Sequence, residues 1–209
     1  MYYNFRDALT DCRSVVHLIG MHGPNLIGLE LGVDTAQSHV TLLQNCPNIK
    51  KLYGIDNWKP YTDYLREDGI HAPSQSTTAP QMELNEFTAK HHIKWSGEQD
   101  KSEIWKGNTE DCVRNTNDET FDFIFLDAWL NYDQVKRELK DWYPKLKHGG
   151  LFIGHDYKSD AVATAVSQFR EQYSIKSHMS VYDSTFVWKK GGSESVSYTH
   201  LTLPTIYSV

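Results

Sequence analysis

The sequence predicts an α/β fold, a doubly wound and mostly parallel sheet closed by an antiparallel C-terminal hairpin. Three observations lead there. Apolar runs of strand length alternate with helical patterns from Leu26 onward. The first run, Leu26-Ile-Gly-Leu-Glu-Leu31, enters a glycine turn at Gly32, and the next, Leu52-Tyr-Gly-Ile-Asp56, ends on an acid. The last two runs are separated by Asp183 and Ser184, a hairpin signal. Strand, glycine turn, helix, strand and acid form the layout of a βαβ nucleotide site. The turn lets backbone approach the ligand, and the second acid can accept both ribose hydroxyls.

Each element follows from its pattern. Strand one is residues 26–31. A helix is expected at about 35–46, with Val40, Leu42 and Leu43 facing inward. Strand two is 51–56. Residues 57–80 carry Pro60, Pro73 and Pro80 and a polar run at 74–78. That stretch is too long for an ordinary βα connection and reads as a lid or substrate loop. Tyr61, Tyr64 and His71 in it could line a pocket. A helix follows at about 81–95, and strand three at 102–106, ended by Gly107. Strand four, 121–127, is apolar almost throughout, as a strand covered on both faces must be. The next helix, 132–146, places Val135, Leu139, Trp142 and Leu146 at helical spacing, and Gly149-Gly150 is expected to stop it. Strand five is 151–154, the following helix 161–173, and the hairpin 176–181 with 185–189. No internal repeat is visible.

Composition narrows the function. A chain of 209 residues suits one α/β domain with a full core. The net charge of -6 and the lack of a basic run interleaved with aromatics make a nucleic-acid partner unexpected. No apolar run is long enough to span a bilayer, so no membrane partner is expected. The N-terminus lacks the basic-then-apolar order of a signal peptide. Cys12, Cys46 and Cys112 are widely spaced and odd in number, read as reduced thiols in a cytoplasmic protein. A homo-oligomer is compatible with this reading.

The C-terminus is set apart. Residues 1–190 are assigned to the domain and 191–209 to a tail. Within the tail, residues 196–205 match one reading frame of a transposase adapter used in short-read sequencing libraries. The segment 196–209 is therefore expected to be a cloning or assembly scar with no part in folding.

One acid separates the cofactor options. Glu30 lies inside strand one, two residues before Gly32. A phosphate at that turn would gain nothing from a negative charge, whereas a cationic ligand would. This favours S-adenosylmethionine over NAD. Glu30, Asp56, Asp127 and Asp156 fall at or near the ends of strands one, two, four and five. Four acids converging on one edge are costly unless something cationic neutralises them.

These motifs resemble those of the class I S-adenosylmethionine-dependent methyltransferases, and within them the small-molecule and sugar O-methyltransferases that include catechol-type enzymes. The resemblance covers about residues 26–190. Glu30-Leu-Gly32 with Ser38 resembles the first cofactor motif. Gly54-Ile-Asp56-Asn-Trp58 resembles the ribose motif, and Gly107-Asn-Thr-Glu110 the adenine-side turn. Phe125-Leu-Asp127 and Phe152-Ile-Gly-His-Asp-Tyr157 resemble the catalytic edge. The resemblance implies a Rossmann-like sheet of seven strands, the last inserted antiparallel. It implies cofactor contacts at Glu30, Gly32, Ser38, Asp56, Asn57, Thr109 and Asp127, and a small-molecule acceptor.

Asp127, His155 and Asp156 are the candidate catalytic set, and by the same resemblance a candidate metal triad for Mg²⁺ or another divalent ion. One imidazole is unusual for such a hard ion. One departure stands out. Relatives carry histidine or lysine three positions after the strand-four acid, and here that position is Leu130. Leucine cannot take a proton, so His155 is the first candidate base and His22 the second. An imidazole beside two carboxylates is expected to be raised in pKa. Trp129 reads equally as a wall of the site or as core. His91 and His92 point to different sides of their helix and read as surface residues. The rival readings are a nicotinamide-dependent oxidoreductase, disfavoured by the missing second and third glycines, and a non-catalytic cofactor-binding protein of the same fold, favoured only by Leu130.

Overall fold

The computed structural model describes residues 12–60, 78–128 and 131–192. In chain order the elements are α1 (Arg13–Gly20), β1 (Leu26–Leu31), α2 (Gln37–Asn45), β2 (Ile49–Asp56), α3 (Ala79–Ser96), β3 (Ser102–Lys106), α4 (Thr109–Cys112), β4 (Phe121–Leu126), α5 (Tyr132–Trp142), β5 (Leu146–Gly154), α6 (Asp160–Gln172), β6 (Met179–Tyr182) and β7 (Thr185–Lys189). The strands form one seven-stranded sheet in the order β3-β2-β1-β4-β5-β7-β6. The first five are parallel, and β7 pairs antiparallel with β5 and β6. This is the expected doubly wound sheet with its closing hairpin.

The central strands are apolar because helices cover both faces. On one face Ile124 and Leu126 of β4 meet Val135, Leu139 and Trp142 of α5 and Val162, Ala165, Val166 and Phe169 of α6. On the other, Phe123 and Phe125 join Leu42 and Leu43 of α2 and Val15 and Ile19 of α1. Alternation along one strand thus feeds two cores. Each side chain of this size is worth roughly 1.5–3 kcal/mol buried rather than exposed. A third cluster sets Met82, Ala89 and Ile93 of α3 against Val33, Ala36, Val40 and Trp58. It packs α3 beside the β1–α2 turn.

Three expectations are corrected. Residues 13–20 form α1, an amphipathic helix the sequence reading left unassigned, with Val15 and Ile19 buried. The helix expected at 132–146 ends at Trp142. A 3-10 turn, Tyr143–Lys145, follows, because Pro144 has no amide hydrogen to continue the ladder. Gly149 and Gly150 therefore do not stop a helix. They lie inside β5, where the backbone passes Asp122 so closely that a Cβ on Gly150 would come within 2.7 Å of the Asp122 carbonyl oxygen. The other boundaries agree to within a few residues. Most of the expected lid at 57–80, with Tyr61, Tyr64 and His71, lies outside the described residues, as do Trp129, Leu130 and the segment 193–209.

Candidate functional site at the carboxyl edge of the sheet

The strand order reverses direction between β1 and β4, and ligands in open α/β sheets bind beyond the carboxyl ends of strands at such a point. Two hollows lie there. One, of about 200 Å³, is lined by Gly32, Asp56, Asn57, Thr109, Gln134 and Glu138 among others. The second, of about 270 Å³, is lined by Gly32, Asp34, Gln37, Ser38, Asp127 and His155 among others. Gly32 lines both, so they adjoin at the β1 turn. Gly32 has φ +90°, and a Cβ there would come within 2.5 Å of the Asp127 carbonyl oxygen. Only glycine lets the end of β1 turn this close to the end of β4.

The rim is built from uncommon backbone. Asp34, Ala36, Trp58 and Asp156 all adopt positive φ between 46° and 61°. Such residues cost of order 1–3 kcal/mol each and persist where surrounding structure over-determines them. Asp56 is that structure for the first half. Its Oδ2 accepts from the Val33 and Asp34 amides, each at 2.9 Å, and its Oδ1 from the Trp58 amide at 2.8 Å. The Trp58 indole donates to the Asp34 carbonyl at 2.8 Å. The expected ribose acceptor is thus also the clamp that joins the β1 and β2 turns. A carboxylate offers about four lone-pair sites, so one stays free for a ligand. Asn57 bridges onward, donating to Asn108 at 2.9 Å.

Glu30 has a different role from the one expected of it. It is 0% exposed and lines neither hollow. Its Oε1 accepts from the Ser38 hydroxyl, and its Oε2 pairs with His39 Nδ1 at 2.8 Å. His39 is equally buried, and its Nε2 lies 2.9 Å from the Ser102 hydroxyl. The carboxylate expected to meet a cationic ligand is hydrogen-bonded inside the protein. Ser38 carries the connection to the cleft: its proton is spent on Glu30, which leaves its lone pairs as acceptors.

Asp127 and His155 face the second hollow. His155 Nδ1 stands 3.8 Å from Asp127 Oδ1 and 3.3 Å from Asp156 Oδ1. Burial pushes the Asp127 carboxyl up to about 7, with Glu30, Asp156 and Asp34 adding to the rise and His155 opposing it. Its side chain keeps 32% exposure, and it lines the cavity. Asp156 moves the other way, held below the usual carboxylate range chiefly by its hydrogen bond with His155. Among the described residues no three of His, Cys, Asp and Glu form a group that would hold a metal ion. Asp127, His155 and Asp156 instead stand as a cluster of two carboxylates around one imidazole.

At the far end of the first hollow Thr109 opens α4 and donates to Glu138 Oε1 at 2.6 Å, and Gln134 donates to the same oxygen. Burial pushes Glu138 up to about 7, against the lowering effect of those two bonds.

A family model described as "Methyltransferase domain" matches residues 29–157, more than half of the chain. The chain belongs to this methyltransferase family. No curated protein sequence matches it. Among solved structures the methyltransferase is similar to the O-methyltransferase TomG of Streptomyces achromogenes, involved in tomaymycin synthesis and solved with S-adenosylmethionine. The identity is 15% over 90% of this chain and 89% of that chain, with a TM-score of 0.59. It is also similar to a Bacillus cereus O-methyltransferase solved with S-adenosylhomocysteine, at 16% identity over 86% of this chain and 79% of that one, TM-score 0.58. A third likeness is to the S-adenosylhomocysteine-bound methyltransferase PaMTH1 of Podospora anserina, at 15% identity over 86% and 77%, TM-score 0.59. At such identities the likeness is one of fold.

The methyltransferase thus gathers Gly32, Ser38, Asp56, Asn57, Thr109, Asp127 and His155 on one cleft, with Asp156 against His155 and Glu30 behind Ser38. It does not bring His22 there. His22 interacts with Asp122 and Lys189, near the amino end of β4, and so cannot serve as the base. His92 is more than a surface residue, because its Nδ1 contacts the Thr35 carbonyl at 2.8 Å and ties α3 to the β1–α2 turn. His91 does sit on the outer side, between the rings of Phe87 and Trp95. Sequence reasoning missed His39 and Glu138. Both had a signal, since each is a polar residue set among apolar ones that a helical pattern turns inward. Glu138 falls on the stripe of Val135, Leu139 and Trp142, all buried.

Proposed function

We propose that this methyltransferase binds S-adenosylmethionine across the two hollows and transfers its methyl group to a hydroxyl of a small molecule, with sugars among the candidate acceptors. The observation that carries the reading is that the Gly32 turn joins a hollow lined by Asp56, Asn57 and Thr109 to one lined by Ser38, Asp127 and His155. The first offers a polar wall for a nucleoside. The second offers acceptors and negative charge for a cationic group. The S-adenosylmethionine and S-adenosylhomocysteine held by TomG and by the Bacillus cereus and Podospora proteins support the same choice.

S-adenosylmethionine supplies a methyl group activated by a positive sulfur. The chain's part is to align the acceptor oxygen with that carbon and to receive the hydroxyl proton. Proximity and orientation supply much of the rate. The proton goes to the Asp127–His155 pair. Asp127 titrates near neutrality, where a general base works best. Asp156 stays ionised and holds the imidazole from its other side.

Thermal unfolding tests the cofactor. A ligand that binds only the folded state raises the melting temperature by mass action. S-adenosylhomocysteine is expected to raise it and NAD to leave it unchanged. A shift with NAD and none with S-adenosylhomocysteine would replace this reading with the nicotinamide one.

A further inference from the structure

Helix α3 is apolar on two opposite sides. Its inner side is used within the domain, where Met82, Ala89 and Ile93 pack beside the β1–α2 turn and the Asn85 amide donates to Asp34 at 2.5 Å. Its outer side carries Leu84, Phe87, His91 and Trp95 at helical spacing, a stripe about 16 Å long. Leu84, Phe87 and Trp95 are 53%, 59% and 77% exposed. The His91 ring lies 4.0 Å from that of Phe87 and 5.4 Å from that of Trp95, so the three rings already hold one another in place. The helix is anchored from its inner side, so the fold does not need this stripe. Contiguous exposed apolar surface of this kind marks an interaction site.

The charges beside the stripe say what fits it. Glu83 and Lys94 are both exposed and lie on one flank of the helix, about three turns apart. Glu86 is already paired with Lys90 at 2.7 Å and Lys106 at 2.6 Å, whereas Glu83 and Lys94 have no ion pair among the described residues. We propose that the outer face of α3 is the contact between two copies of this chain, packed antiparallel about a twofold axis level with Ala89. In that register Leu84 lies opposite the second copy's Trp95, Phe87 opposite its His91, and Glu83 opposite its Lys94. Each contact occurs twice, as a twofold requires. One register thus serves the apolar stripe and the two spare charges together. A parallel pair would set Glu83 on Glu83 and Lys94 on Lys94, like against like. A different protein would have to carry the same apolar and charged order reversed, which a second copy presents by symmetry. The contact lies on the side of α3 away from the cleft and does not depend on the cofactor reading.

Sedimentation velocity of the full chain over a range of concentrations tests the pairing. The unsubstituted protein is expected to show a monomer–dimer equilibrium. Phe87→Ser combined with Trp95→Ser should raise the dissociation constant by at least about tenfold, because aromatic anchors dominate such contacts. Both residues are exposed, so the melting temperature of that variant should hold. Charge reversal tests the register. Glu83→Lys alone sets lysine against lysine twice across the contact, and Lys94→Glu alone sets glutamate against glutamate twice. Each variant by itself should therefore dimerise several-fold more weakly. Mixed together, the two variants form two attractive pairs and should recover the affinity of the unsubstituted chain. A monomer at every concentration overturns the proposal and leaves the stripe to a different partner. A dimer indifferent to Phe87→Ser and Trp95→Ser overturns it too, by placing the contact elsewhere. If the aromatic variant weakens the dimer but mixing the charge variants recovers nothing, the antiparallel register is overturned.

Discussion

Asp56 closes β2 and Asp127 follows β4, so the two stand at the carboxyl ends of the strands that flank β1. Asp56 accepts three backbone amides drawn from two separate turns. Asp127 has other acids and one imidazole for neighbours and is pushed up to about 7. The first carboxylate is surrounded by donors and spends its charge on architecture. The second is surrounded by like charge and keeps its proton exchangeable. Residue type and strand position are shared, so the neighbours alone decide which acid builds the cleft and which is raised in pKa beside it.

The contrast can be broken most strongly from the chemical side. Asp127→Asn and His155→Ala are each expected to lower turnover on an identified acceptor by about 100-fold or more, the usual worth of a positioned acid–base group. His155→Ala should leave S-adenosylhomocysteine affinity near its original value. Full activity in His155→Ala would leave proton transfer to Asp127 or to an acceptor already ionised.

From the architectural side, Asp56→Ala removes the acceptor of three amides and frees two turns at once. A loss of about 3 kcal/mol in stability is expected from denaturant unfolding, since hydrogen bonds to a charged group are worth about 1.5–3 kcal/mol each and water replaces part of the set. Cofactor affinity should fall with it. A variant as stable as the parent would show that the turns hold without their clamp.

A smaller effect sharpens the comparison through pH. Asp127 and Glu138 both titrate near 7 in the folded protein, well above their ordinary values of 3.8 and 4.5. Between about pH 4 and 7 the folded chain keeps protons that the unfolded chain has released. Stability must therefore fall as pH rises through that window. The melting temperature is expected to be higher at pH 5.5 than at pH 7.5, and Asp127→Asn to flatten the difference. A melting temperature that rises with pH over this range would place Asp127 among the donor-rich acids with Asp56.

The smallest expected effect is none. Deleting residues 196–209 should leave the melting temperature unchanged if that segment is a scar. A clear loss would tie it to the fold and extend the domain past residue 192.

Much of this was legible in the sequence, and the gaps have physical reasons. Leu26–Leu31 falls at the expected residues because its apolar run matches strand length and enters the Gly32 turn, and Ser102–Lys106 because Gly107 ends it. Asp56 and Asp127 could be placed at one edge because parallel strands all end on the same side. What the sequence could not supply is partnership. The amides on Asp56 come from Val33, Asp34 and Trp58, positions that only the closed sheet brings together. Glu30 was read as facing a ligand because no local pattern reveals that His39, nine residues later, turns inward onto it. Helix 132–146 was drawn too long because its apolar spacing continues to Leu146, past the proline that ends it.

The Glu30–His39 pair has a consequence for how this protein could change. Gly54 on β2 packs against the pair: a Cβ there would come within 3.2 Å of the imidazole and 2.7 Å of Val33. Removing either partner leaves the other buried without its hydrogen bond, which is destabilising, whereas replacing both with apolar residues is often tolerated. These three positions therefore form a single heritable unit. A variant library that randomises Glu30, His39 or Gly54 one at a time should return little but the parent residue. Solutions lacking the pair would emerge only when Glu30 and His39 are varied together, with Ser38 then left to point its hydroxyl somewhere new.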